Sequence, residues 1–219
     1  MSRPPNTVFV RHVSAIRPGA ELPEWVRALP DQPTVYASLG TVFNNTPGVL
    51  EAIVEALQPE TINLIVAIGR DRDPAGFGPQ PANVRLEKYV PQPQLLANCQ
   101  AFITHGGFNS VKESLISAVP MVVIPITADQ PFSAERCAAL GVARVLAPDD
   151  RSPAVIQGAL RDVLGDSRYA AAARTFQDQM LALPGPDHMV ELLERVAENG
   201  PKPSTEVTAN SAYQGARRS

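Results

Sequence analysis

Ala101-Phe102-Ile103-Thr104-His105-Gly106-Gly107-Phe108-Asn109-Ser110-Val111-Lys112-Glu113 is the stretch that decides the fold. Its first four residues are apolar and β-prone, and they predict a buried strand. His105-Gly106-Gly107 is a tight turn in which two residues without a Cβ let another group approach the backbone. Asn109 and Ser110 are cap-type residues, and a helical pattern runs on from Val111. Strand, glycine-rich turn and helix N-terminus in that order can hold phosphate. Unpaired amide N–H groups and the positive end of the helix dipole both face the anion. The Ser110 hydroxyl and the His105 ring would add side-chain donors. Plainer accounts fit the same residues: Ser110-x-x-Glu113 also matches a capping box, and His105 with its glycines also suits an ordinary turn.

Working outward, apolar runs and helical stripes alternate. Thr34–Thr41 reads as a central strand ending in a Ser38-x-Gly40-Thr41 turn. Thr46 caps the next helix, with Pro47 at its first position and Val49, Leu50, Ile53, Val54 and Leu57 as its stripe. Ile62–Ile68 is a second strand, Gly69–Pro81 a loop, and Asn83–Val90 a third, more exposed strand. A short helix over Gln92–Ala97 leads into the Ala101 strand. Met121–Ile126 and Val142–Leu146 are the fifth and sixth strands. Pro131–Leu140, the segment after Ser152-Pro153, residues 166–182 and a final segment capped by Asp187 are helices. Strand–helix alternation repeated six times predicts an α/β domain, a Rossmann-like parallel six-stranded sheet with helices on both faces. Ligands of such sheets bind at the carboxyl ends of the strands. Ser38, His105 and Asp129 each follow a strand, so one surface would gather them.

The 219 residues suit one domain. We expect a linker-like segment over 1–32, with a short strand at Thr7–Val10, a helical turn around Trp25 and Trp25 anchoring the segment to the core. The domain proper spans 33–199, and 200–219 forms a polar, disordered tail. A net charge of −3 gives no reason to expect nucleic-acid or membrane-surface binding. Two cysteines cannot form a disulfide framework, which points to a reducing, cytoplasmic setting. No stretch approaches the ~20 apolar residues of a membrane span, and the three histidines are too scattered for a metal site.

Tyr89-Val90-Pro91-Gln92, His105–Glu113, Pro120–Pro125 and Asp129-Gln130, in that order, resemble the nucleotide-sugar signature of GT-B glycosyltransferases. The family meant is the one that holds UDP-glycosyltransferases and bacterial antibiotic glycosyltransferases. The likeness runs from about Pro33 to Val196. It implies the C-terminal, donor-binding half of a GT-B fold.

The resemblance also implies roles. Ser38, Gly40 and Thr41 would face the donor phosphates. Tyr89, where most members carry Trp, would stack on the base, although a core or rim aromatic is the plainer account. Val90 would offer backbone hydrogen bonds to the base edge, and Gln92 would lie near the ribose. His105, Gly107, Asn109 and Ser110 would hold the diphosphate, and the Glu113 carboxylate would accept the ribose hydroxyls. Asp129 and Gln130 would contact the donor sugar, although Asp129 also suits a helix N-cap. Ala118 departs from the family's glycine.

The implied activity is inverting transfer of a hexose from a UDP- or dTDP-sugar to a small-molecule acceptor hydroxyl, with no metal or other cofactor. The general base belongs to the N-terminal acceptor half of such enzymes. No residue here matches it, so no catalytic residue is assigned in this chain. The alternatives are a non-catalytic nucleotide-sugar binding module, or the donor subunit of a split enzyme whose partner is a separate acceptor half. An epimerase of the same fold would need catalytic carboxylates that are not assignable.

Overall fold

The structure is a computed structural model describing residues 7–11, 21–40 and 46–199. They fall in two compact units, Val13–Leu183 and the two chain ends, Met1–His12 with Pro184–Ser219. The larger unit holds strands β1 (Thr34–Ser38), β2 (Asn63–Ala67), β3 (Val84–Glu87), β4 (Ala101–Thr104), β5 (Met121–Val123) and β6 (Ala143–Val145). Its helices are α1 (Glu24–Arg27), α2 (Val49–Leu57), α3 (Gln92–Leu96), α4 (Phe108–Ile116), α5 (Gln130–Ala139), α6 (Pro153–Gly165) and α7 (Ser167–Leu181). All neighbouring strands pair in parallel, in the order β3-β2-β1-β4-β5-β6.

Every residue of β1, β4 and β5 is buried, as expected of parallel strands covered on both faces. Alternate side chains of β1 divide between two cores. Val35 and Ala37 join Leu50, Ile53 and Leu57 of α2 and Ile156, Leu160 and Val163 of α6. Tyr36 points the other way, into a core with Leu95, Leu96, Phe102, Leu115, Ala134 and Ala173. Its ring stacks on Phe102 with centroids 5.1 Å apart. Fully burying one such side chain stabilises by about 1.5–3 kcal/mol. Trp25 packs against this second core as expected, with the Arg85 guanidinium 4.9 Å from its ring centre.

The structure corrects several element boundaries. β1 ends at Ser38, and Gly40 turns away in the left-handed region at φ 81°; Thr41 lies outside the described residues. Helix α2 starts at Val49, with Gly48 at its cap (φ 80°), so Thr46 and Pro47 belong to the preceding turn. The expected loop after β2 contains one 3-10 turn, Pro74–Phe77, in which the Ala75 amide donates to the Asp73 carboxylate. Helix α4 begins at Phe108, three residues earlier than the Asn109-Ser110 cap predicts, with Gly107 at its N-cap and no side chain capping it.

In the smaller unit, Thr7–Arg11 forms no strand. The Arg11 amide donates to the Pro184 carbonyl at 2.6 Å. A last helix, α8 (Pro186–Asn199), places Asp187 inside its first turn rather than at its cap. The expected tail, 200–219, lies outside the described residues.

Helix α4 ends in a Schellman arrangement: the Val119 amide donates to the Ser114 carbonyl at 2.9 Å, and the Ala118 amide to the Leu115 carbonyl at 3.2 Å. Ala118 therefore sits in the left-handed region at φ 54°, where a Cβ is strained. Helix α5 closes in the same way with Gly141, at φ 69°. Ala118→Gly is expected to stabilise the domain by up to about 1 kcal/mol, because the strain relieved (~1–2 kcal/mol) outweighs glycine's extra unfolded-state freedom. Thermal melting should rise by roughly 2–4 °C. A lower melting temperature would show that the Ala118 methyl group packs usefully.

Candidate functional site

The strand order reverses direction of growth between β1 and β4. In open parallel sheets the crevice outside the carboxyl ends at that switch point is where ligands bind. Here the chain leaves β1 through Ser38 and Gly40 and leaves β4 through His105-Gly106-Gly107 into α4. An open cleft of about 640 Å³ lies at this edge, within the usual range for ligand sites. It gathers Ser38, Gly40, Tyr89, Val90, Gln92, Asn109, Ser110 and Glu113 from three separate connections.

The geometry removes one of the accounts of α4 that the residues left open, the capping box. The Glu113 carboxylate does not return to the start of its helix, so there is no capping box. Its Oε2 instead accepts a hydrogen bond from Gln92 Nε2 at 2.7 Å, twenty-one positions upstream. Ser110 is buried in the first turn, and Asn109 Oδ1 accepts from Lys112 Nζ at 3.0 Å. Among the described residues no side chain caps α4, so its first amides stay available to an anion at the cleft.

His105 stands behind Gly40 rather than on the cleft wall. A Cβ added at Gly40 would lie 2.7 Å from His105 Cε1, and one added at Gly107 would lie 2.5 Å from Nε2. The two glycines thus make the slot that holds the ring. Gly106, at φ 84°, makes a third close approach, because a Cβ there would meet Val123 Cγ1 at 2.8 Å. Burial lowers the His105 pKa, with the negative charge of Asp129 pulling the other way. The ring is therefore neutral at pH 7, a hydrogen-bonding group and not a fixed cation.

Tyr89 is exposed at the rim, and Val90, buried in the second core, also borders the cleft. Asp129 and Gln130 do not line the cleft. Asp129 occupies the N-cap position of α5 but makes no cap hydrogen bond. Gln130 is buried, and its Oε1 accepts from the Ile126 and Thr127 amides at 2.8 and 2.9 Å. Burial pushes the Cys99 and Cys137 thiols up to about 12 and about 11, so neither is a nucleophile at neutral pH. Among the described residues no cluster of His, Cys, Asp or Glu could hold a metal, and no helix is long and apolar enough to cross a membrane.

Sequence reasoning missed Tyr36, Arg70, Asp71 and Lys88, which also line the cleft. Arg70, Asp71 and Lys88 follow β2 and β3, so their position at strand carboxyl ends was the available signal. Tyr36 was hidden within an apolar run.

Residues 51–196 match the sequence family described as the C-terminal domain of erythromycin biosynthesis protein CIII-like proteins. The chain belongs to that family. Among similar proteins, the oleandomycin glycosyltransferase of Streptomyces antibioticus is 31% identical over 176 residues, which are 80% of this chain and 41% of the relative. An uncharacterized UDP-glucosyltransferase, YdhE of Bacillus subtilis (strain 168), is 30% identical over 79% of this chain and 43% of its own length.

Solved structures of such enzymes share the fold. The calicheamicin glycosyltransferase CalG4 superposes with a TM-score of 0.73 at 33% identity, covering 78% of this chain and 45% of that one. Glycosyltransferase VinC, solved in complex with dTDP, gives 0.74 at 31% identity, covering 83% and 45%. The six-stranded Rossmann-like sheet and the relationship to GT-B antibiotic glycosyltransferases are thereby established. The chain spans less than half the length of these relatives.

Proposed function

We propose that this domain binds the nucleotide-sugar donor of an inverting glycosyltransferase that moves a hexose from a UDP- or dTDP-sugar to a small-molecule hydroxyl. The observation that carries the reading is the meeting, in one switch-point cleft, of a carboxylate held by a neighbouring amide (Glu113 and Gln92) with the uncapped N-terminus of α4. A nucleoside diphosphate offers what those two features accept: sugar hydroxyls as donors at one end and an anion at the other.

The base would stack on Tyr89 and hydrogen-bond the Val90 backbone. The ribose would meet Glu113 and Gln92. The diphosphate would lie over Ser38, Gly40, Thr41, Gly107, Asn109 and Ser110, with neutral His105 as a further donor. Asp129 and Gln130 would serve the sugar. The general base would come from an acceptor-binding half outside this sequence, so the chain alone would transfer nothing.

Calorimetric titration with UDP, dTDP and ADP tests this. We expect weak binding of a pyrimidine diphosphate, and no sugar transfer from UDP-glucose or dTDP-glucose to a small phenol or a macrolide. Absence of binding by UDP and dTDP would overturn the site. Robust transfer by this chain alone would overturn the need for a second half.

A further inference from the structure

Tyr36 lies on β1 two residues before Ser38, so both side chains leave the same face of the strand. The residue is only 2% exposed, yet it borders the cleft. Its ring is stacked on that of Phe102 with an interplanar angle of 8°. Packing needs no more than a ring here, as the equally buried Phe102 shows. The hydroxyl is additional, and a buried tyrosine hydroxyl ordinarily has a partner. Among the described residues only the Ser38 hydroxyl comes close enough to share a hydrogen bond with it. Glu113 and Tyr89, which also line the cleft, act on it electrostatically, as does buried Cys99. Burial holds the phenol above its usual pKa, so it keeps its proton.

A phenol has one proton to donate and an oxygen that accepts. Whichever function Ser38 takes, the other is left for the cleft. A ribose hydroxyl can meet either one, because it both donates and accepts. A phosphate oxygen only accepts, and the nearby Glu113 carboxylate disfavours an anion at this point.

We infer that the Tyr36 hydroxyl is a further binding residue for the donor nucleotide, and that it holds the ribose hydroxyl that Glu113 does not take. This rests on the proposed donor site. Gln92 occupies Oε2 of Glu113, which on this reading leaves Oε1 for one hydroxyl. A ribose carries two on adjacent carbons, and the phenol supplies the second place. The stack on Phe102 fixes that place in advance, so little side-chain freedom is lost on binding.

The test is calorimetric titration of UDP, 2′-deoxy-UDP and 3′-deoxy-UDP into the full chain and into its Tyr36→Phe variant. Phenylalanine keeps the ring, so the melting temperature should stay the same. UDP should bind the variant about fivefold more weakly, on the scale of one neutral hydrogen bond. For one of the two deoxy nucleotides the substitution should cost almost nothing, because the hydroxyl that Tyr36 holds is already gone. For the other it should cost the full fivefold. In the unaltered chain both deoxy nucleotides should bind more weakly than UDP.

If UDP does not bind the unaltered chain, the donor site itself fails and this assignment falls with it. If UDP binds but one of its hydroxyls contributes nothing in the unaltered chain, the assignment to Tyr36 is overturned without any variant. Unchanged affinity in Tyr36→Phe overturns it as well. So does an equal loss for all three nucleotides, because the hydroxyl would then support the cleft floor and not a ligand.

Discussion

Glu113→Gln is expected to weaken binding of UDP or dTDP about tenfold or more while leaving folding almost unchanged. The side chain is half-buried, and one carboxylate oxygen is already engaged by Gln92 Nε2 at 2.7 Å. That hydrogen bond orients the group and, on the proposed reading, leaves Oε1 to accept from a ribose hydroxyl. Glutamine keeps one carbonyl oxygen, enough to satisfy Gln92, but turns the other acceptor into a donor and removes the charge. A hydrogen bond to a charged group is worth about 1.5–3 kcal/mol, and 1.4 kcal/mol is a tenfold change in affinity. No capping hydrogen bond is lost, because Glu113 makes none. Calorimetry on the variant decides the matter: unchanged affinity at unchanged melting temperature would remove the ribose from this carboxylate.

Gly107→Ala should do more damage, and by a different route. The backbone at Gly107 (φ −62°, ψ 141°) is one that alanine adopts freely, so the conformation itself costs nothing. The added methyl group, however, would stand 2.5 Å from His105 Nε2 and 2.9 Å from Cε1. The ring has little room to yield, because Gly40 bounds it on the other side and the residue is buried. Overpacking of this kind typically costs 1–3 kcal/mol of stability. Displacement of the ring should also lower diphosphate affinity roughly tenfold or more. Nucleoside binding should fall much less, since in the proposed site only the diphosphate would reach this turn. His105→Ala is the control. In that background Gly107→Ala should cost almost nothing further, a non-additivity that identifies the ring as the target of the clash. Equal losses in both backgrounds would mean that the methyl group obstructs the ligand directly.

The sheet could be read before any coordinates because its interior strands are unbroken apolar runs, and Val35–Ala37, Leu64–Val66 and Phe102–Ile103 are all buried. The turn at His105 was legible for a related reason: glycines beside a β-prone run leave few other conformations. Helix starts were less so. Asn109-Ser110 and Thr46-Pro47 are strong start signals in isolation. The helices begin instead after Gly107 and Gly48, where packing against the sheet fixes the entry point and propensity yields. The partner of Glu113 was invisible to local rules because it comes from another connection, at Gln92. Arg151 stood in a polar stretch that carries no pattern, and only the fold brings it to Pro125.

The pairing of β1 with β4 sets when the cleft can come into being. Val35 lies against Ala101 and Ser38 against Thr104, and at the start of the same seam the Thr34 amide donates to Gln100 Oε1, 66 residues along the chain, at 2.7 Å. Closing so long a loop is among the slower events in building a domain, since its entropy is lost before the contacts it brings are gained. The Ser38 turn and the His105 turn therefore face each other only once that seam has zipped. A half-assembled chain with β1–β2 or β4–β5 alone holds one wall of the crevice and no site. Whatever occupies the crevice thus acts on the completed sheet, drawing the finished domain out of its equilibrium with the unfolded chain rather than guiding its assembly.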